Sequence, residues 1–263
     1  MLPWGAPLLI EPDEWIGSRV WLVGVHDLVV AETLLRLTDP GEHALDAGAN
    51  IGFMTSVLAA TVGSSGRVTS FEPLPTLVAK LRQNIDLWHD RLACTQITVI
   101  PVALSDEEGE ASLMMPSDFA QNQGLATLEP GTSGESGEEV RVATRTLDAI
   151  FSAGEEFGVM KLDVEGHEYS VLKGSVDLLS GGRIRDIVFE EHNTYPNAAT
   201  RLLESHGYEV FGLRKGMFGP ELTPPADLKK SLKQGEPPNY LATRDASRAA
   251  RRLRPYGWRA LAR

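Results

Sequence analysis

Residues able to bind a small ligand stand where the sequence predicts that two strands end. Asp46, Gly48, Asn50 and Gly52 follow one predicted strand, and Glu72 ends the next. Because ligands of open parallel sheets bind at the carboxyl ends of the strands, these five residues are expected to surround one site. Gly48 allows close backbone approach, Gly52 allows the following helix to pack against the strand, and asparagine tolerates positive φ.

The chemistry of this turn narrows the class of ligand. The turn is not G-x-G-x-x-G, and it lacks the Lys-Ser/Thr pair of a phosphate loop. Asp46 would repel a pyrophosphate but suits a cationic ligand, and Glu72 is placed to accept hydrogen bonds from both hydroxyls of a ribose. A positive centre, a ribose and no phosphate together indicate S-adenosylmethionine. The alternative is an ordinary tight turn between a strand and a helix.

Two later strand ends supply candidate catalytic and acceptor-binding groups. These groups are Asp163, Glu165, His167, Glu190, Glu191 and His192. Acids at successive strand ends are costly to bury together without a cationic or hydrogen-bonding ligand. Since side chains alternate along a strand, Glu190 and His192 are expected on one face of the sheet and Glu191 on the other.

A histidine at these strand ends is the natural general base, since its unperturbed pKa lies near neutral pH. His167 is the first candidate and His192 the second, and each has a structural alternative, which for His167 is capping the following helix. The neighbouring carboxylates could hydrogen-bond the amine or the hydroxyls of an acceptor. Asp163 and Glu190 could instead hold a divalent metal, although we expect no metal.

Strand and helix patterns alternate along the chain, which predicts a mostly parallel sheet with helices on both faces. The predicted strands are His43–Ala47, Arg67–Glu72, Ile97–Leu104, Val159–Val164, Ile184–His192, Tyr208–Leu213 and Asn239–Arg244. The predicted helices, with apolar residues at helical spacing, are Ile51–Thr61, Thr76–Trp88, Tyr169–Leu179 and Ala198–His206.

Three segments fall outside this alternation. Residues 1–40 are predicted to form a helical cover over one sheet edge, ahead of a main domain over residues 41–243. Within that domain, residues 105–146 predict an added hairpin with a mobile loop that could act as a lid. Residues 244–263 form a basic tail with seven arginines and one acid. We expect this tail to be a solvated, partly disordered helix, and less readily a docking surface for an acidic partner.

Composition limits the compartment and the partners. The net charge of −11 disfavours nucleic acid as the main partner. The single cysteine, Cys94, excludes an internal disulfide and a cysteine-based zinc site. The N-terminus lacks the pattern of a signal peptide, and no run approaches the ~18 apolar residues of a membrane helix. We therefore predict a cytoplasmic protein with a small-molecule partner and no membrane partner, and a homodimer remains open.

The motifs resemble those of the FkbM-type methyltransferases, a class I family that depends on S-adenosylmethionine. The matching segments, in the family's order and spacing, are "LDAGANIG", "FEPLPTLVAKLRQNI", "VALSDEEGEASL", "TLDAI", "MKLDVEGHEYSVLKG" and "IVFEEH". The resemblance covers roughly residues 41–243, and "KLDVEGHE" is its most specific part. It implies a Rossmann-like α/β fold with a seven-stranded sheet, whose one antiparallel strand is the last and lies beside strand six.

The resemblance also implies roles for individual residues. The loop from Asp46 to Gly52 would hold the methionine side of the donor, Glu72 the ribose with Pro73 shaping the turn, and Val102 with Ala103 the adenine. Asp163 would begin the catalytic loop. Asn122 lies in "NQGLATL", which resembles a family motif N-x-G-x-x-S-L, and it is a candidate for binding the acceptor together with Glu165, Glu190 and Glu191.

The family mostly methylates oxygen on natural products, sugars and related small molecules, so O-methylation of a small-molecule hydroxyl is the leading expectation. An N- or carboxyl-methyltransferase acting on an amine or a peptide is the alternative. A non-catalytic nucleoside-binding module is a minor alternative, because acids are retained at every predicted strand end.

Overall fold

The computed structural model describes residues 1–94, 96–115, 128, 138–232 and 238–261. Its strands are β1 (His43–Ala47), β2 (Arg67–Phe71), β3 (Ile97–Ile100), β4 (Ala103–Leu104), β5 (Gly109–Met115), β6 (Glu138–Arg145), β7 (Phe157–Leu162), β8 (Ile184–Glu190), β9 (Glu209–Lys215), β10 (Pro220–Thr223) and β11 (Asn239–Thr243). Its α-helices are α1 (Trp15–Val23), α2 (Leu28–Leu37), α3 (Phe53–Val62), α4 (Pro75–Trp88), α5 (Leu147–Ile150), α6 (Glu168–Lys173), α7 (Val176–Ser180), α8 (Ala198–Ser205), α9 (Leu228–Ser231) and α10 (Ala246–Leu253).

The main sheet has the strand order β10-β9-β11-β8-β7-β1-β2-β3. Its central strands pair in parallel, and β11 runs antiparallel between β8 and β9. This arrangement confirms the predicted Rossmann-like α/β fold, and the short β10 adds an eighth strand at the edge, antiparallel to β9. The strand order reverses between β1 and β7, so the carboxyl ends of these two strands mark the place where such sheets bind ligands.

A second, smaller sheet has the order β4-β6-β5. The sequence predicts one strand over Ile97–Leu104, but Pro101 lacks a backbone N–H and interrupts it. As a result β3 stays in the main sheet, while β4 pairs in parallel with β6. β5 and β6 form the predicted hairpin, and most of the loop expected to act as a lid lies outside the described residues.

Residues 1–40, predicted as a helical cover, contain the two helices α1 and α2. α1 ends at Gly24, which has a φ of 83°, and α2 begins after Asp27, whose side chain accepts a hydrogen bond from Val30 N at 3.2 Å. Apolar residues of α2 such as Leu34 and Leu37 are fully buried against the sheet. The N-terminal segment therefore packs into the core and brings the connection between α1 and α2 to the edge where strand ends meet.

The basic tail packs against the body of the protein, in contrast to the expected solvated helix. Arg248 of α10 donates to Asp39 Oδ2 at 2.6 Å, to Asp186 Oδ2 at 3.1 Å and to Leu37 O at 2.7 Å. These acceptors could not be predicted from the composition of the tail because they come from distant parts of the chain. In the part of the chain that the structure describes, no helix is both long and apolar enough to cross a membrane.

Candidate functional site

A cavity of about 1080 Å³ opens at the carboxyl ends of β1, β2, β7 and β8. This volume lies just above the usual range for small-molecule sites, ~300–1,000 Å³. The loop after β1 and the segment after β2 form one side of the cavity, the strand ends of β7 and β8 form another, and the connection between α1 and α2 closes a third.

Two glycines fix the loop after β1. Gly48 has a φ of 75°, and a Cβ added there would lie 1.9 Å from Asp163 O, so the loops after β1 and β7 touch through their backbones. Gly52 has a φ of 94°, and an added Cβ would lie 2.5 Å from Leu81 of α4. Asn50 has a φ of 50°, as its residue type suggested. The close contacts of both glycines are with the protein itself.

Asp46 lies beneath this loop, fully buried. Its Oδ2 accepts a hydrogen bond from Thr55 Oγ1 at 2.5 Å, and Lys161 Nζ lies 3.7 Å from its Oδ1. The same ammonium donates to Ala47 O at 3.2 Å and to Gly48 O at 2.7 Å. Asp46 therefore sits behind the loop that it was expected to complete as a ligand-facing group, and through Lys161 it holds the loop in place.

Asp163 is a second carboxylate partner of Lys161, because its Oδ2 lies 3.4 Å from Lys161 Nζ. Burial lowers the pKa of Lys161, but Asp163 and Asp46 more than offset this and raise it. Burial raises the pKa of Asp46, and Lys161 opposes that rise. The lysine thus remains an ammonium ion between two carboxylates.

Glu72 lines the cavity at the end of β2 and is almost fully buried. Its Oε2 accepts from Asn50 N at 2.8 Å and its Oε1 from Leu74 N at 3.0 Å. Each carboxylate oxygen can accept a second hydrogen bond, so the carboxylate can still receive two ribose hydroxyls. Burial raises the pKa of Glu72 to about 7, although these backbone donors oppose the rise.

The surroundings of Glu72 suit an adenine. Pro73 and Leu74 follow it along the cavity wall, and Val102, Ala103 and Leu104 face the same space. The predicted donor-side residues thus converge on the cavity, with Asp46 placed behind it. A buried carboxylate with spare acceptor capacity and an apolar wall fit S-adenosylmethionine.

Acidic side chains collect at the other end of the cavity, where β7 and β8 end. Asp163, Glu165 and Glu190 all line it. Burial, followed by the charges of Asp163 and Glu190, raises the pKa of Glu165 to about 8. Burial also raises the pKa of Glu190, and a hydrogen bond with His192 opposes this. Such a group of carboxyls would be relieved by a hydrogen-bonding or cationic acceptor.

The two histidines predicted as bases reach the cavity with different surroundings. His167 Nε2 lies 2.9 Å from Ser105 Oγ, and His167 also occupies the N-cap position of α6 without a side-chain capping bond. His192 Nε2 lies 2.6 Å from Glu190 Oε1, and this hydrogen bond raises the pKa of His192. The side chain of His192 is 62% exposed, so it sits at the rim.

Alternation along β8 separates the acids as expected. Glu190 and His192 line the cavity. Glu191 is buried, and its Oε1 accepts from Asn193 N at 2.7 Å, so it caps the local turn. Its predicted role in binding an acceptor therefore lacks support from its position. Asn122, the remaining predicted acceptor-binding residue, lies outside the described residues.

Sequence reasoning missed residues that come from outside the strand ends. His26 and Asp27 line the cavity from the connection between α1 and α2, and Asn239 lies at the start of β11. Asn239 Nδ2 donates to Asp27 Oδ2 at 3.0 Å. An aspartate directly before an apolar helical run is a helix-start signal, and it would have placed Asp27 correctly.

Among the described residues, no group of three or more His, Cys, Asp and Glu side chains has the geometry to hold a metal ion. Asp163 and Glu190, the pair considered for a metal, are instead engaged with Lys161 and His192.

Comparison with known proteins places this site in a family. A family model described as the methyltransferase FkbM domain matches residues 46–210. The hexuronic acid methyltransferase AglP of Haloferax volcanii is 31% identical over 195 residues, which cover 71% of this chain and 72% of that protein.

Solved structures show weaker similarity. The methyltransferase FkbM of Methylobacillus flagellatus has a TM-score of 0.47 at 16% identity, with 88% of this chain and 60% of that chain covered. An S-adenosylmethionine-dependent O-methyltransferase of Thermotoga maritima has a TM-score of 0.44 at 13% identity, with 86% and 69% covered.

The family model covers more than half of the chain, and the residues it spans include the loop after β1, Glu72 and the acidic ends of β7 and β8. This chain therefore belongs to the methyltransferase FkbM domain family and is a methyltransferase.

Proposed function

We propose that this protein transfers a methyl group from S-adenosylmethionine to a hydroxyl of a small molecule. The observation that carries the proposal is the position of Glu72. It is a buried carboxylate on the cavity wall, between the loop after β1 and an apolar surface, and it keeps acceptor capacity for a ribose.

The donor would lie along the side of the cavity built by β1 and β2. Glu72 would accept its ribose hydroxyls, and Leu74 and Ala103 would pack against its adenine. Asp163, partly exposed and next to the loop after β1, would face its positively charged end. When bound, S-adenosylmethionine supplies an electrophilic methyl group on a sulfonium. The chain's own residues must align the acceptor oxygen with that group and take up the hydroxyl proton.

The acceptor would enter at the acidic end of the cavity. Polyhydroxylated molecules suit this end, because Glu165 and Glu190 can each accept or donate hydrogen bonds, depending on protonation, when burial raises the pKa. The activity named for the relative AglP, hexuronic acid methylation, also points to a sugar hydroxyl. A cytoplasmic location and the absence of a nucleic-acid partner belong to the same proposal, in line with the net charge of −11.

A second candidate is methylation of an amine. The acidic end favours it specifically, because Asp27, Asp163, Glu165 and Glu190 face one space. A protonated amine would be drawn there, whereas the carboxylate of a uronic acid would be repelled unless the carboxyls bind it in their neutral form. The order of preference among sugar acceptors therefore separates the two candidates.

Titration calorimetry with S-adenosylhomocysteine tests the donor half. The wild-type protein should bind, and Glu72→Ala should bind at least tenfold more weakly. Glu72→Gln, which preserves the shape, covers the case in which the alanine variant does not fold. Glu110→Ala, at a side chain that is 70% exposed on β5, is the matched control and should bind as the wild type does. No binding by folded wild-type protein would overturn the proposal.

Methyl transfer from radiolabelled S-adenosylmethionine to glucose, glucuronic acid and glucosamine tests the acceptor half. Product formed on a hydroxyl, identified by mass spectrometry, supports the O-methyltransferase. Product formed only on the amine of glucosamine replaces it with the second candidate.

A further inference from the structure

A third histidine faces the cavity from a part of the chain outside the family match. His26 lies in the short connection between α1 and α2, whereas the family model begins at residue 46. Its ring packs edge-on against Phe53, with the ring centroids 6.1 Å apart. Phe53 is the first residue of α3 and directly follows the loop after β1. His26 therefore stands next to the loop after β1.

Two of the three cavity histidines hydrogen-bond through Nε2, His167 with Ser105 and His192 with Glu190. Nδ1 of His26 is buried and has no hydrogen-bond partner within the described residues. A buried polar atom without a partner is costly. A group of a bound molecule that donates a hydrogen bond would remove this cost.

We propose that His26 is the catalytic base of the methyl transfer and accepts the proton of the acceptor hydroxyl at Nδ1. This inference rests on the proposed function. The acceptor O–H bond breaks as the oxygen's electron pair forms the bond to the methyl carbon. The carbon–sulfur bond breaks with its electron pair going to sulfur. The products are the methyl ether, S-adenosylhomocysteine and a His26 imidazolium, which returns its proton to solvent after product release.

The charges around His26 suit this role. Burial lowers its pKa, so the ring is neutral and able to accept a proton before reaction. The titratable groups that face it are Asp27 beside it, Asp163 at the end of β7, and Arg19 and Glu14 from α1 and its N-cap. The two aspartates would stabilise the imidazolium once it forms.

Asp27 has a fixed position relative to His26. Its Oδ2 accepts from Asn239 at 3.0 Å and its Oδ1 from Val30 N at 3.2 Å. Burial raises the pKa of Asp27, and His26 opposes that rise. Asp27 is thus a positioning residue. Protonation of His26 during turnover would favour the ionised form of Asp27, and the Asp27 carboxylate would in turn stabilise the imidazolium of His26.

Kinetics of His26→Gln test the proposal on whichever sugar acceptor the wild-type enzyme methylates. We expect kcat at pH 7 to fall about 10²–10⁴-fold, the usual contribution of a general base. The affinity for S-adenosylhomocysteine should stay within about threefold of wild type, since a general base acts on the acceptor. His89→Gln, at an exposed histidine after α4, is the control and should leave both quantities unchanged. A kcat that stays within threefold of wild type would overturn the proposal, as would loss of donor binding by His26→Gln.

A second measurement needs no acceptor. In protein labelled with ¹³C at histidine Cε1, the resonance lost in His26→Gln identifies His26. We expect it to report a neutral ring at pH 7 and to shift when S-adenosylhomocysteine is added. A protonated ring at pH 7, or no shift at saturating S-adenosylhomocysteine, would overturn the role of His26. By contrast, wild-type protein that binds no S-adenosylhomocysteine overturns the proposed function itself.

Discussion

Glu72 has a structural role in the cavity wall and a proposed role in binding the ribose. Its carboxylate accepts from the backbone of the loop after β1 and from Leu74, so it joins two segments of the cavity wall. Burial raises its pKa to about 7, which means that the free protein holds this carboxyl partly protonated near neutral pH. A ligand whose hydroxyls donate to the ionised form would have to displace that proton.

The affinity for S-adenosylhomocysteine should therefore depend on pH. Between pH 8 and pH 6, the affinity should fall as the pH falls, approaching a tenfold loss per unit below the pKa of about 7, because protonated Glu72 cannot accept both hydroxyls. Calorimetry at several pH values measures this, and Glu72→Gln should remove the dependence. A wild-type affinity that is flat from pH 6 to pH 8 would contradict the assigned role.

The same raised pKa predicts how Glu72 acts on stability. A carboxyl whose pKa in the folded state is raised from 4.5 to about 7 binds protons more tightly there than in the unfolded chain. Its contribution is fully present below pH 4.5 and is lost as the pH rises through about 7. Chemical denaturation at pH 5.5 and pH 8 should show that Glu72→Gln loses less stability over this range than the wild type does.

Gly48 is a second position where a single residue controls the site. A Cβ at this position would meet Asp163 O at 1.9 Å, and φ is 75°. Gly48→Ala should therefore lower the free energy of unfolding by about 2–5 kcal/mol, the sum of left-handed strain and overpacking. Gly24→Ala, with a similar φ of 83° and no atom within 4 Å of the added Cβ, should cost only the strain, about 1–2 kcal/mol. Urea unfolding of the two variants compares them, and equal losses would refute the close contact.

At the scale of elements, the loops after β1 and β7 act as one unit. Lys161 lies inside β7 but donates to the carbonyls of Ala47 and Gly48, and it neutralises carboxylates on both strands. Parallel neighbours such as β1 and β7 connect through the backbone, and this ammonium adds a link at the end where the ligand binds. Loss of that link should disturb the loop without breaking the sheet.

Lys161→Met should lower the free energy of unfolding by about 3–5 kcal/mol, because it leaves the buried Asp46 carboxylate without its cation. Adding Asp46→Asn should recover part of this loss, since the double variant no longer buries an unpaired charge. Lys230→Met, at a side chain that is 79% exposed, should change stability by less than about 1 kcal/mol. The cycle compares urea unfolding of the wild type, Lys161→Met, Asp46→Asn and the double variant. If the two single losses of stability simply add in the double variant, Lys161 and Asp46 are not paired.

The sequence predicts an element correctly where residues close together in the chain determine it. Period-2 alternation correctly separated Glu190 and His192 from Glu191, because β8 is regular to its end. The split of the predicted third strand into β3 and β4 follows from Pro101, which is a local signal in the sequence. The predicted helix Tyr169–Leu179 is divided into α6 and α7 at Gly174, where an added Cβ would lie 2.0 Å from Ser105 O.

At the scale of the whole molecule, the basic tail is fixed to α2. Arg36 is buried, pairs with Glu32 at 2.6 Å, and donates to the carbonyls of Leu253, Pro255 and Gly257. Glu32 accepts in turn from Ala260 N at 2.7 Å. We call these contacts of Arg36 and Glu32 with residues 253–260 the clamp at Arg36. The clamp fixes the last described residues, and Leu261 lines the cavity.

Arg36→Met should destabilise the protein by about 3–5 kcal/mol, since Glu32 would stay buried without its partner. Arg254→Met, at an exposed arginine of the same tail, provides the control and should have little effect. Thermal unfolding followed by circular dichroism compares the two. Indistinguishable melting temperatures would show that the tail is not anchored in this way.

The molecule also shows which cavity residues the sequence could predict and which it could not. Glu72 and Ala103 follow strands within the span of the family motifs. His26 and Leu261 come from the two ends of the chain, and only the folded chain brings them to the same cavity. Their positions depend on the packing of α2 and the clamp at Arg36, which no short motif encodes.

The smallest strand of the structure has a consequence for how such an enzyme can change its specificity. Ala103 and Leu104 belong at once to the cavity wall and, as β4, to the minor sheet in which the hairpin strand β6 pairs with them. A substitution that shifts the hairpin to admit a different acceptor will also shift the surface that is proposed to pack against the adenine. Variants that methylate a new acceptor should therefore often bind the cofactor with a changed affinity. Variants selected for acceptor specificity are worth screening for cofactor affinity, and the reverse.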